Sequence, residues 1–118
     1  MKAIFFFLLM LFTPYIWGQT YTSPFTQYFP SGKVEIIDRT IIIEKDNFTI
    51  ITDTEKGKDI QKLKIIEVDK ISEGIVYKCT SLDGLMPTIA TYFPNNEAPY
   101  ISILQPNNLN TEIRFLLD

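Results

Sequence analysis

The sequence predicts an all-β domain, an antiparallel meander of seven to eight short strands that forms either a small barrel or a two-sheet sandwich. Three observations carry this. From residue 33 onward, short runs rich in Ile, Val, Thr, Tyr and Phe recur. Clusters of Gly, Pro, Asn and Asp separate them, at roughly the 8–12-residue spacing of a sandwich or barrel. No segment sustains a helical period.

The chain opens with an address. Lys2 precedes the apolar run Ala3 to Phe12, and Thr13 to Gly18 follows with a proline and a terminal small residue. Charged start, short apolar middle and small residue before a cut are the layout of a secretory signal. Residues 1–18 are read as a cleaved signal peptide, with cleavage after Gly18 and a secreted or periplasmic destination. The ten-residue run rises about 15 Å as a helix, half of a ~30 Å hydrocarbon core. No membrane span is therefore expected in the mature chain.

Residues 19–32 read as an aromatic-rich extended arm. Tyr21, Phe25, Tyr28 and Phe29 lie there with Pro24 and Pro30, and no charge occurs before Lys33. Rings on a proline-broken segment suit a cover over an open end of a core. The same rings, with Tyr92 and Tyr100, are the candidate ligand or partner surface.

Residues 33–118 read as a single β-domain of eight candidate strands. Val34 to Ile37 and Arg39 to Lys45 come first, then Phe48 to Asp53. Asp46 and Asn47 both tolerate positive φ, so a two-residue hairpin is expected there. That turn pairs Ile43 with Ile50, Ile41 with Thr52, Ile42 with Ile51 and Glu44 with Thr49. Ile60 to Val68, Ile75 to Thr80, Thr88 to Phe93, Tyr100 to Leu104 and Ile113 to Leu117 complete the series. Gly57, Gly74 and Gly84 fall between them, with Pro94-Asn95-Asn96 and Pro106-Asn107-Asn108. Short connections favour pairing between successive strands. The expected interior lining is Ile41, Ile43, Leu63, Ile65, Ile75 and Ile89. In pattern alone, without any family motif, the succession resembles that of calycin-type ligand-binding barrels, though the chain is short for a complete one.

Composition narrows the function. Without the signal the bases fall to ten against fourteen acids, a net charge of −4. A mildly acidic chain without a basic stripe gives no support for nucleic-acid binding. There is no histidine and a single cysteine. Histidine-based catalytic triads and cysteine-based zinc sites are thereby excluded. No phosphate-binding loop, cofactor motif or metal site is read. Asp53, Glu55 and Asp59 share a loop with Lys56 and Lys58, and their spacing misses the EF-hand pattern, so the loop reads as a solvated turn. Cys79 shares a face with Ile75 and Tyr77 and reads as a small buried hydrophobe. Asn47-Phe48-Thr49 matches a glycosylation sequon inside the expected hairpin.

The expectation is a non-catalytic binding or protein-interaction module that takes a small apolar ligand at a barrel mouth or a protein partner on its surface or an edge strand. An envelope structural component and a carbohydrate-binding module are the alternatives. An enzyme would need perturbed acids in a pocket, with Asp53 or Glu67 the residues to substitute.

Overall fold

The computed structural model describes residues 19–95, 97–106 and 108–118. The signal expected over residues 1–18 lies outside them. Eight strands follow in order: β1 (Gln19–Phe29), β2 (Val34–Ile43), β3 (Asn47–Thr54), β4 (Gly57–Ile71), β5 (Gly74–Ser81), β6 (Pro87–Phe93), β7 (Tyr100–Gln105) and β8 (Asn108–Leu116). Each pairs antiparallel with the next, and β1 pairs with β8, so the sheet is a closed barrel. Of the two architectures expected, the barrel is the one formed. Closure removes the two open edges that a sandwich of the same strands would expose.

Residues 19–32, expected as an arm, instead supply the strand that closes the barrel. Phe25 to Phe29 pair with β8 and Gln19 to Gln27 with β2. Pro24 lacks an N–H for the ladder, and it sits at a β-bulge between Ser23 and Phe25, the place where a strand tolerates proline. The bulge turns Ser23 and Thr26 into the core and Phe25 out to solvent. The runs expected as two strands on either side of Asp38 join as the single β2. The eight strands are therefore not the eight expected.

The first hairpin differs in register. Ile43 pairs with Phe48 and Ile41 with Ile50, two residues from the expected pairing. Asp46 and Asn47 do not take positive φ, and Glu44 N–H donates to the Asn47 carbonyl at 2.8 Å across a longer loop. A shift of two keeps each side chain on its expected face, because the strand period is two.

Ile41, Ile43, Phe48, Ile50, Leu63, Ile65, Tyr77, Cys79, Ala90, Ile101 and Phe115 form one continuous buried core. Ile41, Phe48 and Ile101 are wholly enclosed. Eight strands leave an interior that side chains just fill, and these residues occupy it. Ile89 is a correction to the expected lining. Ala90, not Ile89, is the buried aliphatic of β6, because Thr88, Ala90 and Tyr92 are the residues in step with the interior.

Candidate functional site

The barrel has two ends. The upper end carries the turns after β1, β3, β5 and β7; the lower end carries Gln19, the C-terminus and the turns after β2, β4 and β6. The six candidate surface aromatics divide among three places, not one.

Tyr21 and Tyr92 meet at the lower end. They come from β1 and β6, which are not neighbours in the sheet, and their rings lie 4.8 Å apart across the mouth. The Tyr21 hydroxyl donates to Gln19 Oε1 at 2.6 Å. Burial, then the neighbouring Tyr92, pushes the Tyr21 phenol well above its ordinary range, so it stays a hydrogen-bond donor at any physiological pH. Two hollows open at this end. One, of about 320 Å³, lies among Tyr21, Thr22, Tyr92, Pro99, Leu117 and Asp118. Thr22 Oγ1 donates to the Asp118 carboxylate at 2.8 Å and so holds the C-terminus against β1 there.

The other hollow, of about 400 Å³, opens between the β2–β3 turn and the β4–β5 hairpin. Ile43, Val68, Ile75 and Tyr77 make its walls, with Gln19, Glu44, Lys45 and Lys70 at its rim. Its origin is a mismatch in strand length. Pairing of β3 with β4 stops at Asn47 and Lys64, whereas β4 continues to Ile71 with β5 alone. The projecting hairpin leaves a corner that no strand fills. Gly74 anchors it, since a Cβ there would lie 1.9 Å from the Tyr92 carbonyl oxygen. Ile43 and Ile75 stand in the sequence-read lining. Val68, Lys45 and Lys70 were not singled out, because the hollow exists only once β4 outruns β3.

Tyr28 lies at the upper end. Its hydroxyl donates to Glu35 at 2.7 Å, and Glu35 approaches the Arg39 guanidinium at 4.0 Å. Arg39 turns into the barrel, donates to Thr52 Oγ1 at 3.1 Å and to Thr26 Oγ1, and lies 5.3 Å over the Phe115 ring. A charge so placed needs these partners to offset lost hydration. Sequence reading missed it, although Arg39 is in step with Ile41 and Ile43, and that parity is the signal that marks it.

Phe29 and Tyr100 lie on the outer surface. Each has its ring centre 4.6 Å from the Arg114 guanidinium, which they enclose from two sides. Arg114 in turn donates to Glu112 at 3.0 Å, and Ser102 Oγ donates to the same carboxylate at 2.5 Å. This set is satisfied within itself. Phe25 is exposed and pairs across strands with Ile36.

Asp53 and Glu67, the two acids weighed for catalysis, lie in exposed ion pairs. Asp53 meets Lys58 at 3.3 Å, and Glu67 meets Lys78 at 2.9 Å. Among the described residues no group of three metal-ligating side chains occurs. Cys79 is buried and unbridged, and burial pushes its thiol up to about 11. No protein-family model, curated protein or solved structure gives a significant match to the chain.

Proposed function

We propose that this protein is an exported, non-catalytic binding module that holds a small, largely apolar molecule at the lower mouth of its barrel. The observation that carries the reading is the hollow of about 400 Å³ walled by Ile43, Val68, Ile75 and Tyr77. That volume is within the usual range for small-molecule sites, as is an apolar wall with a few polar groups at the rim. The core side chains that occupy the interior favour the mouth over a deep central site. Ion pairs of Lys78 with Glu67 and Asp69 put charge on the outward face of β4 and β5, where a lipid-facing barrel carries apolar side chains. No helix among the described residues is long and apolar enough to cross a membrane.

The test is native against denatured mass spectrometry of the protein recovered after export. The expected result is an additional mass under native conditions that denaturation removes. Ile75→Trp fills the mouth and is expected to abolish that mass while the fold persists. A bare native protein, or a bound mass that Ile75→Trp leaves unchanged, sinks the reading. The denatured mass also reports the leader, because loss of residues 1–18 is the expected cut.

A further inference from the structure

The barrel is closed, yet one of its strands is left half unpaired. β2 pairs with β1 up to Val34, through Phe25 with Ile36, Thr26 with Glu35 and Gln27 with Val34. Its pairing with β3 ends much sooner, at Arg39 with Thr52. Above that point β3 and β4 continue as a hairpin joined only to each other, with Asp53 opposite Lys58 and Thr54 opposite Gly57. The two strands therefore part. The gap has a volume of about 430 Å³ and is lined by Ile36, Ile37, Asp38, Asp53, Thr54 and Glu55.

From this geometry we infer that the upper edge of β2, Val34 to Asp38, is a strand-addition site for an extended, basic segment of a partner protein. Three features carry the inference. An unpartnered strand presents alternate N–H and C=O groups that an added strand can take up. Ile36, at 83 % exposure, offers an apolar contact beside that edge. The lining holds three carboxylates and no cation. Asp53 is already met by Lys58, which leaves Asp38 and Glu55 for the ligand. Those carboxylates disfavour the same edge of a second copy and an anionic membrane surface, because both would bring like charge to the gap. A segment with lysine or arginine on one face and apolar residues on the other complements both the charge and Ile36. This site is at the opposite end of the barrel from the tyrosine-bearing mouth, and it stands or falls independently of the mouth.

Backbone pairing is largely indifferent to sequence, so a generic probe suffices. The full exported chain, labelled with nitrogen-15, is titrated with a short peptide of alternating lysine and valine. The expected result is saturable binding below about 1 mM, with amide shifts confined to residues 34–38 and 53–55. Amide exchange across 34–38 should slow as those groups gain partners. The double variant Asp38→Asn with Glu55→Gln should weaken binding about fivefold. A peptide of alternating glutamate and valine, and the lysine peptide N-methylated on alternate residues, should not bind. No saturation by the lysine peptide at about 1 mM overturns the inference. Equal binding by the N-methylated peptide does so as well, since it would show charge attraction without strand pairing.

Discussion

At the scale of single residues, the charged groups of this barrel divide into those enclosed by partners and those left to water. Glu112 is the instructive case. Burial pulls its carboxyl upward, but the Arg114 and Ser102 hydrogen bonds and the Arg114 charge outweigh burial and hold it below the usual glutamate range. A carboxyl lowered in the folded state stabilises above its unfolded value, and that stabilisation is lost as pH falls through the folded value. Glu112→Gln is therefore expected to cost about 1 kcal/mol near neutrality. The cost should shrink once the pH drops below about 4. Thermal unfolding of both proteins from neutral to acidic pH checks this, and a gap that ignores pH would refute it. Cys79 was readable from its step with Ile75 and Tyr77. The Arg114 set was not, because its members lie on three strands that only closure brings together: β7 with Ser102, β8 with Glu112 and Arg114, and β1 with Phe29.

At the scale of elements, the pairing of successive strands was legible, whereas their register and the strand at Gln19–Phe29 were not. Turn residues mark where runs end, and the turns at Gly57 and Gly84 bear this out, each taking positive φ. Gly74 needs its lack of a side chain for a different reason, the close approach of the Tyr92 backbone. Gly74→Ala should force β5 and β6 apart at the lower mouth and cost about 2 kcal/mol or more. Gly32→Ala, at φ 78° with open space around it, should cost only about 1 kcal/mol. Urea unfolding of the two variants gives the comparison, and equal costs would show that the Gly74 approach relaxes freely. The hairpin register illustrates what local reading misses. Opposed isoleucines satisfy two registers equally, and the one that forms puts Phe48 beside Ile43, where it reaches Tyr77 with a ring separation of 6.0 Å. That contact belongs to the barrel and not to the hairpin.

At the scale of the whole molecule, closure is the organising event. β1 is the strand that joins β2 to β8, so closure of the barrel depends on a segment whose prolines make it read as an arm. Removing Gln19 to Phe29 should expose two edges and the enclosed Phe115, and cooperative thermal unfolding should vanish. A truncated chain that still melts in a sharp transition would return the segment to the role of a cover. Both proposed sites follow from the same feature of closure. Neighbouring strands do not pair along their whole extent: β4 outruns β3 at the lower end, and β2 parts from β3 beyond Arg39 and Thr52 at the upper end. The corners that result hold the mouth hollow and the open edge.

By itself the sequence determined the β class, the meander order and most of the inward residues, because alternation and turn chemistry act over a few positions and need no distant partner. It also set the absence of histidine and of a second cysteine. Tertiary structure alone decided that the sheet closes, that the aromatic segment is the closing strand, and that β3 does not pair with its neighbours along their whole extent. Those outcomes depend on register between strands far apart in the chain. A period of two fixes a side chain's face, but leaves the strand free to slide by two residues until packing in the shared interior selects one position.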